Sequence, residues 1–197
     1  HQLGTPLSSL YGWVELLREE KDDDFTQRIC DELESDVTRL RGVAERFNKI
    51  GSEPELQLQK LEPILEQVVN YMEQRLPQLG KDVEVRRKFD SSTKAKINTE
   101  LFQWALENLI KNAMDAIKST TNAYVSVKTH RVENEVFIDV EDSGTGIEKK
   151  FQSEIFKPGY STKKRGWGLG LSLTKRIIEE YHEGKLVIHH SEVGKGT

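Results

Sequence analysis

Cysteine, proline and long apolar runs are all scarce in this sequence, and each scarcity closes off a class of protein. One cysteine is present, Cys30, so no intrachain disulfide can form and a reduced, cytoplasmic setting is expected. No apolar stretch approaches the roughly 20 residues that a membrane span requires. Positive charge is not in excess either: 29 Lys and Arg stand against 33 Asp and Glu, a formal net charge of -4. That balance argues against a general nucleic-acid binder, which would carry a basic surface. There is no initiator methionine, signal peptide, internal repeat or low-complexity tract. Because the chain opens on His1 inside a helical pattern, a fragment of a longer protein is expected. What is present is 36% hydrophobic and 31% charged residues, with a mean hydropathy of -0.63. That combination suits long solvated helices beside a compact core, in one or two domains.

The first fifty residues have their own texture. Leu3, Leu7, Leu10, Val14 and Leu17 recur at alternating steps of four and three, the rhythm of an apolar helical seam. Lys21 to Asp24 interrupt it, and Asp24 with Gln27 reads as a capping box that opens a second helix. Cys30, Leu33, Val37, Leu40, Ala44 and Phe47 then repeat the rhythm. Two helices with one seam each cannot close a core, so the reading is a helical hairpin that makes a four-helix bundle from two chains. A pair packed on the chain's own second domain is the alternative. The domain reading is therefore 1–51 for the hairpin, 52–56 for a linker around Ser52 to Pro54, and 57–197 for a second domain.

That second domain mixes strands and helices. Leu56 and Leu58 alternate, Ile64, Leu65, Val68, Val69, Met72 and Leu76 form a helical face ended by Pro77 and Gly80, and Val83, Val85, Ala95 and Ile97 suggest short strands. Thr99 is read as the N-cap of a helix to about Ile117. Ala123 to Thr129 and Val136 to Val140 read as an antiparallel hairpin turned near Glu133 and Asn134. A glycine-rich region, a helix from about Leu169 to Tyr181 and a strand from Lys185 to His189 complete an α+β fold, with helices layered on a sheet as an α/β sandwich.

Three constellations carry chemistry. Asn108, Lys111, Asn112 and Asp115 lie at i, i+3, i+4 and i+7, one polar stripe opposite Leu106, Leu109, Ile110 and Ala113. An amide oxygen is a neutral hard ligand, suited to Mg²⁺ that already carries nucleotide phosphate oxygens. At the end of the second hairpin strand, Asp142-Ser143-Gly144-Thr145-Gly146 sets a carboxylate before alternating glycines. Such a carboxylate can accept from the exocyclic amine of adenine while the glycines let backbone approach a flat ring. Finally Gly166-Trp167-Gly168-Leu169-Gly170-Leu171 opens a helix, where amide groups cradle phosphate, and Lys163, Lys164 and Arg165 precede it as a basic lid.

In order, His1-Gln2-Leu3-Gly4-Thr5-Pro6, Asn108-Leu109-Ile110-Lys111-Asn112-Ala113, Asp142 to Gly146, Phe156-Lys157-Pro158 and Gly166 to Leu171 resemble the boxes of the sensor histidine kinases of two-component systems. The resemblance spans nearly the whole chain. It implies a GHKL-type ATP-binding domain after a dimerising phosphoacceptor hairpin. It further implies His1 as the nucleophile that takes the γ-phosphoryl of ATP, and a homodimer that passes this group to an aspartate of a response regulator receiver domain. Carried over by residue, Asn112 would hold Mg²⁺, Asn108 would support the metal or phosphates, and Asp142 would read adenine. Gly144, Gly146, Gly166, Gly168 and Gly170 would shape the pocket and lid. Lys111 and Lys163 would remain for phosphate. Members that hydrolyse ATP, such as gyrase and mismatch-repair proteins, carry a glutamate at the place of Asn108, which speaks against a water-activating ATPase. Any membrane attachment would come only through a sensor region outside this fragment.

The sequence also departs from that pattern. Gln2 stands where the family usually has Glu or Asp, and an amide orients but takes no proton. Rival readings follow: a phosphatase-dominant protein in which Thr5 positions water, or a non-catalytic nucleotide-binding scaffold. Asp115 and Ala116 stand where many members have Lys-Tyr, a form similar to the nitrogen-regulation kinases, and the stretch from Glu148 to Arg165 is short for a lid.

Overall fold

The structure is a computed structural model that describes residues 4–20, 23–31, 33, 34, 37, 54–76, 83–118, 122–163 and 168–197. The chain divides into two units, His1–Pro54 and Glu55–Thr197. In the first, α1 spans Gly4–Glu20, and a second helix, α2, opens at residue 24 and is helical at its described positions through 37. The capping residue is Asp23, not Asp24. Asp23 Oδ1 accepts from the amides of Phe25 (3.1 Å) and Thr26 (2.9 Å), while Oδ2 takes the Thr26 hydroxyl (2.7 Å). A run of aspartates offers either register, and the one that satisfies two otherwise orphaned amides wins. Gln27 instead reaches the Arg18 carbonyl at 3.4 Å.

Val14, Cys30 and Val37 are the buried seam residues, and Cys30 Sγ donates to the Val14 carbonyl at 3.7 Å. Arg18 ties the helices through Asp31 (3.0 Å) and Glu34 (2.8 Å), and Glu34 also accepts from the Tyr11 hydroxyl (2.8 Å). Leu10, Leu17 and Leu33 stay exposed, as do Leu16 and Trp13, the last 66% exposed. The seam expected at Leu3, Leu40, Ala44 and Phe47 and the linker residues Ser52 and Glu53 lie outside the described residues, as do Pro77 to Gly80.

The second unit has two sheets. β1 (Gln57–Lys60) pairs antiparallel with β3 (Lys94–Ile97). The other sheet has the order β2-β4-β5, from β2 (Glu84–Lys88), β4 (Tyr124–Val132) and β5 (Glu135–Asp142). β2 runs parallel to β4, so the chain crosses over between them through β3 and α4 (Thr99–Ala116). β4 and β5 form the expected hairpin, with Val132 opposite Glu135 and Glu133 at φ 53° in the turn. α3 (Leu61–Glu73) and α4 cover this sheet. Leu61, Leu65, Val68, Val69 and Met72 from α3 meet Phe102, Leu106, Ile110, Ala113 and Met114 from α4, above Val125 and Val127. Each fully buried aliphatic side chain here contributes about 1.5–3 kcal/mol, which anchors the α4 stripe to a rigid base.

Two local expectations are corrected. Asn98 caps α4, its Oδ1 accepting from Leu101 N at 3.1 Å, and Thr99 is the first helical residue. Asn98 is fixed in turn by His182, whose Nε2 accepts from the Asn98 amide at 3.0 Å while Nδ1 donates to the Ile177 carbonyl at 2.8 Å. The helix read from Leu169 to Tyr181 is present as α5 (Gly170–Arg176), extended by one π turn, Ile177–Tyr181. Residues 185–189 are not a strand. Leu186 and Ile188 alternate with exposed neighbours as a strand would, but the segment has no ladder partner among the described residues. The Leu186 amide instead donates to the Glu179 carboxylate at 3.3 Å.

Candidate functional site

α4 carries the centre of the site because its opposite face is committed to the core. With Leu106, Ile110 and Ala113 buried, Asn108, Asn112 and Ala116 follow one another at single-turn spacing along the free face, about 6 Å apart for each four residues. Three different neighbours meet these three turns.

At the first turn, the Asn108 amide donates to the Thr174 hydroxyl on α5 at 2.8 Å, and Thr174 is fully buried. α5 can come this close because residue 170 is glycine: a Cβ there would stand 2.5 Å from Asn108 Oδ1. Gly170 therefore serves the approach of two helices at the carboxamide.

At the second turn, the Lys163 ammonium donates to Asn112 Oδ1 at 3.0 Å and pairs with Asp115 Oδ2 at 2.7 Å. The Asn112 oxygen assigned to Mg²⁺ already accepts from a cation, so the donor chemistry fits a metal ion at this point. Lys163 is presented by a local turn in which its amide donates to Ser161 Oγ at 3.1 Å. The stem below is pinned by the Gly159 amide on the Gly168 carbonyl at 3.0 Å. Gly168 is needed there for conformation: it sits at φ 66°, and a Cβ would collide with Gly159 at 2.3 Å. Lys111 is exposed on the same helix.

At the third turn, Gly144 lies against Ala116, where a Cβ would stand 2.7 Å from the Ala116 carbonyl carbon and 2.6 Å from Asp142 Oδ1. The Gly144 amide donates to Asp142 Oδ1 at 2.7 Å, and the Thr145 amide donates to the Ala116 carbonyl at 3.1 Å. Asp142, at the end of β5, is 7% exposed. Burial pushes its pKa above the ordinary aspartate value, against the opposing pull of the Gly144 amide. Its own amide donates to the Thr197 carbonyl at 2.8 Å. The turn from Ser191 to Thr197 closes the far side: Ile147 N donates to Ser191 Oγ at 2.8 Å, and Gly194 N to the Thr145 carbonyl at 2.8 Å. Gly146, at φ 65°, leaves room for the Glu192 carbonyl, which a Cβ would approach to 2.1 Å. A buried carboxylate beside glycine backbone has the chemistry to accept from an exocyclic amine on a flat ring.

Asn108, Asn112, Asp142, Gly144, Gly146, Lys163 and Gly170 are thus gathered around α4 and its C-terminal end. Gly168 supports the loop stem. His1, Gln2, Lys164, Arg165 and Gly166 lie outside the described residues, and Thr5 falls on the backbone of α1 in the first unit. Sequence reasoning placed Asp115 in the stripe at i+7 but not against Lys163, and it missed the roles of Thr174, Gly196 and Thr197; all four depend on contacts made only by folding.

A fold of two helices on a sheet, with a carboxamide stripe and a buried aspartate at its two ends, defines a nucleotide-binding class. Residues 97–197 match the family described as histidine kinase-, DNA gyrase B- and HSP90-like ATPases, and the chain belongs to that family. Its relatives are histidine kinases. It is 27% identical over 201 residues to sporulation kinase C of Bacillus subtilis (strain 168), covering all of this chain and 45% of that one. It is 26% identical over 210 residues to the nitrogen regulation protein NtrY of Azorhizobium caulinodans, covering all of this chain and 27% of that one. The nitrogen-regulation-like form of the Asn112 to Ala116 segment is consistent with this. The chain therefore spans about a quarter to a half of the length of these curated relatives. Among solved structures, full-length ShkA in complex with AMPPNP shares the fold at TM-score 0.79 and 22% identity, over 100% of this chain and 42% of that one. The histidine kinase ThkA in complex with the response regulator TrrA shares it at TM-score 0.65 and 20% identity, over 97% of this chain and 56% of that one. No helix among the described residues is long and apolar enough to cross a membrane.

Proposed function

We propose that this chain is the catalytic core of a sensor histidine kinase. In this reading a hairpin of residues 1–51 is joined by 52–56 to an ATP-binding domain of residues 57–197. The γ-phosphoryl of ATP passes to His1 and then to an aspartate of a response regulator. The observation that carries the reading is the buried Asp142 and the Asn108–Asn112 pair arrayed along one helix, the two ends of a nucleotide site. The AMPPNP bound to ShkA and the regulator bound to ThkA support it by analogy of fold.

Asp142 accepts from the adenine amine and Gly144 admits the ring, which selects the base before any chemistry occurs. Asn112 Oδ1 would hold Mg²⁺, which would supply neutralisation of the phosphate charge. Asn108 is held by Thr174, and as a carboxamide it takes no proton from water, so the site favours a protein acceptor over hydrolysis. Neutral His1 offers a ring nitrogen lone pair. A nitrogen–phosphorus bond forms as the bond between the γ-phosphorus and the ADP oxygen breaks, and the imidazole proton leaves to solvent. Gln2 orients this ring through its amide, and Thr5 lies one turn from it. The exposed Leu10, Leu17 and Leu33 of the seam, with Trp13 and Leu16 beside them, suit burial against a second copy and hence a homodimer.

The experiment is incubation of the whole chain with γ-labelled ATP and Mg²⁺. An acid-labile, alkali-stable label is expected on the native chain and absent from His1→Ala. No label on the native chain, or a label that persists in His1→Ala, overturns the reading.

A further inference from the structure

The ion pair between Lys163 and Asp115 brings a cation onto the very oxygen that the proposed function reserves for a metal ion. Lys163 Nζ stands 3.0 Å from Asn112 Oδ1 and 2.7 Å from Asp115 Oδ2. Asp115 lies three residues after Asn112 on α4, so both acceptors face the same approach. One ammonium thus satisfies both, and it comes from a segment 48 residues away in sequence. The Ser161 turn and the Gly159–Gly168 stem direct the side chain there.

We propose that Asp115 is a positioning residue that parks Lys163 on Asn112 when no nucleotide is bound, so that the lysine serves as a resident surrogate for the divalent cation. This rests on the reading of Asn112 as the metal-holding residue. An ammonium and a divalent ion on one amide oxygen stand close enough to repel each other. Arrival of a metal-bound nucleotide therefore requires Lys163 to leave, and the strength of its hold on Asp115 sets the cost of leaving. A nucleotide without metal has no such competitor at Asn112. The pair is partly exposed, with side chains 47% and 31% accessible. Its effect belongs to the modest class of such pairs, about two- to fivefold in affinity, and weakens with added salt.

The sign of the effect distinguishes this from the other roles Asp115 could play. If Asp115 were itself a metal ligand, its loss would weaken Mg²⁺–nucleotide binding. If it parks Lys163, its loss strengthens that binding.

The test is calorimetric titration of the whole chain with AMPPNP, with and without Mg²⁺, beside tryptic cleavage after Lys163 in the nucleotide-free protein. For Asp115→Asn the expected result is about two- to fivefold tighter binding with Mg²⁺, no change without it, and faster cleavage after Lys163. Asp115→Glu should restore native behaviour on both readouts. In a Lys163→Gln background, Asp115→Asn should have no effect on binding, which isolates the contribution of the pair. Weaker Mg²⁺–AMPPNP binding in Asp115→Asn, or native affinity together with native cleavage, overturns the proposal. Asn112→Ala separates the two failures. If that variant keeps full Mg²⁺-dependent affinity, the metal reading itself is lost; if it loses that affinity while Asp115→Asn behaves as native, only the parking role is lost.

Discussion

The two ends of the proposed nucleotide site are held by different physics. At the Asp142 end, position is set by steric exclusion: Gly144 and Gly196 leave no room for a side chain, and the carboxylate is buried among backbone groups. At the Asn112 end, position is set by charge: an exposed ammonium bridges an amide oxygen and a carboxylate. The first kind of order comes with the fold and resists salt, because close packing has few alternative arrangements. The second is weak, screened and exchangeable, which suits a place where a cation must come and go. In the proposed function the base-reading end is thus built in advance, and the metal end would be completed by its ligand.

The comparison breaks most visibly at glycine. Gly196 and Gly194 sit in the same turn with positive φ, at 112° and 82°. Yet a Cβ at 196 would stand 1.8 Å from the Asp142 carbonyl oxygen, whereas one at 194 meets nothing within 4 Å. Gly196→Ala is expected to cost about 2–4 kcal/mol through overpacking and strain together. Gly194→Ala should cost about 1–2 kcal/mol through strain alone. Thermal unfolding of the whole chain checks both, and equal costs would deny that packing against Asp142 is what demands glycine.

A smaller effect is expected at the shared middle of the site. Thr174→Val keeps the shape of a fully buried side chain but removes the acceptor for the Asn108 amide. A loss of about 1 kcal/mol is expected, visible in both stability and Mg²⁺–AMPPNP affinity, because the carboxamide is then free to turn. Affinity unchanged beside lowered stability would show that Asn108 does not need to be held.

The smallest and most specific effect is in pH. The pKa of Asp142 is raised in the folded chain by burial. The folded state therefore binds this proton more tightly than the unfolded one. The stability it contributes is fully present below the unfolded-state pKa and is lost as pH rises through the folded-state pKa. Adenine needs the carboxylate, so affinity should fall as pH drops through the raised pKa, at a pH above the ordinary aspartate range. Glu141, the neighbouring carboxyl, is held below its ordinary value by its hydrogen bonds to Lys128 and Tyr124. Titration with adenosine, which carries no phosphate, reads this dependence, and it should vanish in Asp142→Asn.

What was legible in the sequence follows the same division. α4 and the β4–β5 hairpin could be read because their side-chain periods of 3.6 and 2 are local, and the turn at Glu133 fell where expected. The caps were misplaced by one residue because Asp23 and Asp24, and likewise Asn98 and Thr99, are all competent capping residues. The choice depends on which amides are left orphaned. Asn108, Asn112 and Asp142 were found by motif. The hold of Lys163 on Asp115 and the closure of Gly196 on Asp142 were not, because each joins segments that only the folded chain brings together.

The central claim is one nucleotide site with a base-reading end at Asp142 and a metal end at Asn112. It is tested most directly by the affinity of AMPPNP for folded Asp142→Asn and Asn112→Ala, each measured with and without Mg²⁺. Asp142→Asn should lose a charge-assisted contact of about 1.5–3 kcal/mol, about 10- to 150-fold, by the same factor in both conditions. Asn112→Ala should lose affinity only when Mg²⁺ is present. Native affinity in Asp142→Asn, or an equal loss in Asn112→Ala with and without the metal, would contradict the account.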